Sequence, residues 1–119
     1  MRGRTVAVQS GGQPAATAFR SLQRCEGVAL VEACPETGRT HQIRAHLAGA
    51  GFPILGDVLY GGPRLILLSG GKRLVRRHLL HAFRLTFRHP DSGESLTIEA
   101  PVPADIREVL DAAGISAQP

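Results

Sequence analysis

The chain has 119 residues, 43% hydrophobic and 20% charged, with 14 Gly, 8 Pro and two cysteines, Cys25 and Cys34. This fits one domain with a modest core and argues against a disulfide scaffold. With no apolar run near the roughly 20 residues of a helical membrane span and no signal-like apolar segment, the expected compartment is the cytoplasm. Fourteen Lys and Arg against ten Asp and Glu leave a formal charge of +4, compatible with an acidic partner such as RNA but not specific to one.

Residues 5–9 and 17–33 are rich in β-branched and apolar side chains with patches of alternation. Glu26-Gly27 interrupts the second run, so three strands are expected. Gly11-Gly12-Gln13-Pro14 reads as the turn between the first two. After Pro35-Glu36-Thr37-Gly38 the period changes. Ile43, Leu47 and Ala50 stand at i, i+4 and i+7, predicting a short helix over 40–49 with Thr40 as N-cap and Gly49 and Gly51 as terminators. Gly56-Asp57 reads as a tight turn, with Asp57 as an ordinary turn residue.

Residues 61–77 mix Gly61-Gly62-Pro63 with the apolar run Leu65-Ile66-Leu67-Leu68 and are expected to form a surface excursion. Alternation resumes over 79–87, His89-Pro90-Asp91-Ser92-Gly93 is a turn, and 95–99 is the returning strand of a hairpin. A closing helix over 103–113 starts on proline and stops at Gly114. The implied class is α+β: a mixed, mostly antiparallel sheet with two short helices in a single partial domain over 1–119, fraying at 1–5 and 114–119.

The chemistry concentrates in Thr37-Gly38-Arg39-Thr40-His41-Gln42-Ile43-Arg44-Ala45-His46. His41 and Arg44, three residues apart, share a helix face with Thr40, while Ile43 and Leu47 point to the core. A guanidinium fixed on a helix donates two parallel hydrogen bonds to a carboxylate or phosphate, which makes Arg44 the leading candidate. The plainer alternative is that Arg39 and Arg44 form surface ion pairs. Lys72, Arg73, Arg76 and Arg77 are the densest basic cluster and suit phosphate contacts, with a solvated loop as the alternative. Five aromatics, Phe19, Phe52, Tyr60, Phe83 and Phe87, give no evident stacking platform. His41, His46, His78 and His81 lack the spacing of standard metal sites, so no metal is expected.

The string TGRTHQIRAHLAGAGFPILGDVLYGG resembles the RluA-type RNA pseudouridine synthases, in which TGRTHQ-(Ile/Leu)-Arg-x-His precedes a Gly-Asp-x-x-Tyr turn. LLHAFRLTFRHPDSGESLTIEAPVP is similar to that family's closing hairpin, and GGQPAATAFRSLQRCEGVALVEACPE to the strands before the arginine motif. The likeness covers about residues 6–110, far longer than a short motif. It implies isomerisation of uridine to pseudouridine in ribosomal or transfer RNA. Uracil is detached and rejoined through carbon by an aspartate, with no cofactor or metal.

By the same resemblance Arg44 pairs with the catalytic aspartate, His41 and Leu79 or Leu80 line the uracil pocket, and Arg39 joins the basic cluster in contacting RNA. The family's aspartate lies in a His-Arg-Leu-Asp-x-x-(Thr/Ser)-(Ser/Thr)-Gly segment that this sequence does not contain. Arg64-Leu65, Arg73-Leu74 and Arg84-Leu85 are followed by Ile, Val and Thr. The family's active-site tyrosine belongs to the same missing half, so Tyr60 is not its counterpart. The chain is therefore expected to be the carboxy-terminal half of a catalytic domain, partnered by RNA and by a missing amino-terminal half or a second copy. A non-catalytic RNA-binding remnant is the alternative.

Overall fold

The computed structural model describes residues 4–10, 13–38, 40–69, 71–88 and 90–116. Gly11, Gly12, Arg39, Gly70, His89 and the outermost termini lie outside them. The order is β1 (Arg4–Ser10), β2 (Gln13–Cys25), β3 (Val28–Pro35), α1 (Gln42–Gly49), a 3-10 turn (Val58–Tyr60), β4 (Leu65–Leu68), β5 (Gly71–Leu74), β6 (Arg84–Arg88), β7 (Ser95–Glu99) and α2 (Ala104–Ala113). The class is α+β, with three antiparallel sheets: β1-β2-β3, β4-β5 and β6-β7.

The three expected strands are present, and they pair as an antiparallel meander that forms the first sheet. Its second hairpin closes through Glu26 and Gly27, both at positive φ (52° and 80°), the pairing that a two-residue turn matched to strand twist requires. A glutamate in that conformation is unusual. Here its carboxylate accepts hydrogen bonds from the backbone and hydroxyl of Ser69, tying the hairpin tip to the end of β4. The register shifts between Ser21 and Gln23, a bulge that β2 absorbs midway.

The excursion expected over 61–77 is instead a β-hairpin, β4-β5, with a split surface. Ile66 and the following Val75 are buried and pack with Val109 of α2, whereas Leu65, Leu67 and Leu74 stay exposed. α2 supplies the main core. Ile106, Leu110 and Ala113 cluster with Ile115 against Cys25, Val28, Leu30, Leu68 and Leu79. In the tail expected to fray from 114, Gly114 caps α2 at φ 77° and Ile115 is buried. The strand expected over 79–87 begins only at Arg84. The Leu80 N–H donates to the carbonyl of His78, an i to i+2 contact that interrupts extended alternation.

Candidate functional site

α1 starts one residue later than expected. Its N-cap is His41, at φ 54°, not Thr40, and no side chain caps the first turn. The helix is anchored through a buried polar network. The Gln42 amide donates to the carbonyl of Ala16 (2.7 Å) and the hydroxyl of Thr17 (2.9 Å), and its carbonyl accepts from Thr37 (2.5 Å). The Thr37 oxygen in turn accepts the N–H of Ala16 at 3.1 Å. One turn on, His46 Nδ1 lies 2.9 Å from the Thr17 hydroxyl. Thr17, Gln42 and His46 are all buried, so each polar group needs the others. Burial lowers the His46 pKa below 6.5, keeping the ring neutral.

The motif thus divides by helix face. Gln42 and His46, four apart, lock α1 onto β2, while His41 and Arg44, three apart, meet the segment that follows the helix. Arg44 Nε and Nη2 donate to the two carboxylate oxygens of Asp57 at 2.9 and 2.7 Å, a side-on fork. Asp57 has no exposed side-chain surface and Arg44 retains 14%. The hydrogen bond from Arg44 holds the Asp57 carboxyl below its ordinary 3.8 against the opposing effect of burial, and the same pairing raises the Arg44 pKa. Two of the five guanidinium N–H groups are used. Those of Nη1 and the second of Nη2 point away from Asp57.

The backbone around Asp57 explains how an aspartate is buried there. Its N–H donates to Ile54, its carbonyl accepts from Tyr60 and Gly62, and Gly56 and Gly62 are too tightly surrounded to carry a Cβ. A Cβ on Gly62 would sit 1.9 Å from the Ile54 oxygen. The reading of Gly56-Asp57 as a turn is right about the backbone. It missed the side chain, for which the signal was a cation on a helix upstream of an aspartate in a glycine-bounded turn.

The other expected site residues separate. Leu79 and Leu80 both line an apolar cavity of about 400 Å³, with Leu30, Ile43, Leu55 and Leu110 among its walls. His41 is not among its walls and contacts Tyr60 instead. Residues 78–83 are not a strand, so alternation does not send Leu79 and Leu80 to opposite faces. The basic cluster also divides. Arg77 forks onto Asp105 of α2 at 2.7 and 3.0 Å, and Arg73 lies 3.5 Å from Glu108. Lys72 and Arg76 are exposed. Arg39 lies outside the described residues.

Among the described residues no group of three or more His, Cys, Asp and Glu is placed to hold a metal ion, and no helix is long and apolar enough to cross a membrane.

Comparison with known proteins points one way. A family described as RNA pseudouridylate synthase matches residues 2–49. The chain is 45% identical over 107 residues to the ribosomal large subunit pseudouridine synthase D of Neisseria meningitidis, covering 87% of this chain and 29% of that protein. It is 45% identical over 107 residues to the ribosomal large subunit pseudouridine synthase C of Yersinia pestis, covering 90% and 33%. It is 44% identical over 104 residues to an uncharacterized RNA pseudouridine synthase of Bacillus subtilis, covering 86% and 32%. The chain therefore spans about a third of the length of these relatives.

Proposed function

From the premise that the chain belongs to the RluA-type RNA pseudouridine synthases, we propose that it is the carboxy-terminal part of an enzyme that isomerises uridine in ribosomal or transfer RNA. In this reading it contributes the positioning arginine and part of the RNA surface, and a partner segment contributes the nucleophilic aspartate. The observation that carries the reading is the Arg44 guanidinium, fixed side-on by Asp57 with its remaining N–H groups directed elsewhere. A second carboxylate placed against that free edge would be kept ionised and aimed, as a nearby cation requires of a carboxylate that must act as a nucleophile.

Asp57 does not fit the nucleophile's role. It has no exposed side-chain surface and both its oxygens are bound by Arg44. Leu79 and Leu80 are proposed to border the base, and Lys72 and Arg76, with Arg39, to contact phosphates. A target base must leave its stack to be reached, and backbone cations hold the flanking strand while it does.

The test is reconstitution. The purified chain is incubated with a uridine-containing transcript, alone and with a separately produced segment bearing the family's His-Arg-Leu-Asp string. Pseudouridine is read by mass spectrometry of nucleoside digests. Product is expected only in the mixture and not with Arg44→Ala. Product from the chain alone would refute the claim that its nucleophile comes from elsewhere. RNA binding without product in any mixture would favour the non-catalytic remnant.

A further inference from the structure

Tyr60 stands outside every role considered so far, yet it touches both outward-facing residues of the arginine motif. The Arg44 guanidinium carbon lies 5.2 Å from the centre of its ring, within cation–π range. Its hydroxyl is 3.2 Å from His41 Nδ1, and the two rings meet edge to face at 84° with centroids 5.9 Å apart. His41 reaches this contact from a left-handed backbone conformation. Among the described residues only Glu26 and His41 do so without being glycine. Such a conformation carries a cost for a residue with a Cβ, and it persists where surrounding contacts hold it.

The geometry gives Tyr60 a specific task. A side-on pair with a carboxylate fixes one edge of a guanidinium, but the plane can still rock about the line of its two hydrogen bonds. An aromatic ring held 5.2 Å from the guanidinium carbon limits that freedom. We propose that Tyr60 is a positioning residue for Arg44, and that His41 acts through Tyr60 by holding its hydroxyl, so that the free guanidinium edge keeps one direction. The inference rests on the reading that Arg44 serves a second oxyanion. It adds two residues to that site and gives a reason for the positive φ of His41.

The test uses nitrogen-15 NMR of the Arg44 guanidinium in this chain, comparing Tyr60→Phe, Tyr60→Leu and His41→Gly. Tyr60→Phe keeps the ring beside Arg44 but releases the hydroxyl that His41 holds, so it should loosen the Arg44 Nε–H resonance only to the small degree that His41→Gly does. Tyr60→Leu should broaden it and speed its exchange with solvent. His41→Gly relieves the backbone and should leave the unfolding midpoint unchanged or higher while still loosening Arg44, a combination that a merely structural role does not produce.

In the reconstituted enzyme, Tyr60→Leu should lower kcat by about tenfold with KM for RNA unchanged, since misplacing a catalytic group costs turnover more than binding. Tyr60→Phe, which keeps the ring and loses only the hydroxyl held by His41, should match His41→Gly and lie between Tyr60→Leu and the native chain. An Arg44 resonance in Tyr60→Leu identical to that of the native chain would overturn the proposal, and one unchanged in His41→Gly would overturn the part given to His41. If no mixture forms pseudouridine while Tyr60→Leu still loosens Arg44, the functional reading fails and the positioning role stands.

Discussion

Arg44 on α1 and Asp57 in the turn that follows it are joined by two hydrogen bonds of 2.9 and 2.7 Å, and the carboxylate at the centre of the pair is sealed from solvent. Removing one partner of such a pair leaves the other with an unmatched charge, a larger loss than the pair's own net contribution. Asp57→Ala should lower the unfolding free energy by about 3 kcal/mol, measured by urea titration. Arg44→Lys should restore little of what Arg44→Ala loses, because an ammonium cannot reproduce the fork. A midpoint for Asp57→Ala equal to that of the native chain would show the pair to be energetically idle.

Acidification should weaken the fold in two stages. Burial holds His46 below 6.5, so just under that pH the unfolded chain binds a proton that the folded chain refuses. Stability present above 6.5 is therefore lost as pH falls toward the lower folded value. Arg44 holds Asp57, and Arg77 holds Asp105, below 3.8, so their contributions are present above 3.8 and are lost as pH falls through the depressed values. Urea midpoints taken from about pH 8 to about pH 3 should show both stages. His46→Gln should abolish the first, and a flat native profile across the first window would contradict a neutral buried His46.

The divided basic cluster predicts a divided response to salt. Lys72→Ala with Arg76→Ala should lower RNA affinity and reduce the slope of log affinity against log salt by about two, close to one per lost phosphate contact. Arg73→Ala with Arg77→Ala removes ion pairs to Glu108 and Asp105 that are partly exposed. It should cost about 1 kcal/mol of stability and leave the slope nearly unchanged. Filter binding over a salt series measures the first effect and denaturation the second. Equal slope changes in the two double variants would return all four residues to one RNA surface.

Gly62 packs its α-carbon against the Ile54 carbonyl, and its N–H donates to Asp57. Gly62→Ala should therefore cost roughly 2 kcal/mol or more, since the clash is with backbone that has no rotamer to yield. Gly61, at φ 86° with open space around it, should tolerate Asn far better than Gly62 tolerates Ala. Thermal midpoints of Gly62→Ala and Gly61→Asn decide this, and a nearly native Gly62→Ala would mean that the turn around Asp57 is looser than its contacts indicate.

What the sequence by itself determined is local or carried by long motifs. Strand alternation, the Glu26-Gly27 interruption, the 3.6-residue period of α1 and the proline-to-glycine span of α2 are properties of neighbouring residues, and each is found in the structure apart from residues 79–83, which alternate without forming a strand. The family is legible for the same reason, since its strings cover residues 11–62 and 79–103. Only tertiary structure decided which partners those residues take. Thr40 yields the N-cap to His41 because Gln42 and His46 bond Thr17 on β2, while His41 turns toward Tyr60. Arg73 and Arg77 face α2, and Asp57 becomes the partner of Arg44. Residue spacing sets which side chains share a face. Which charge is cancelled and which stays available depends on segments far apart in sequence coming together, and short-range pattern carries no record of that.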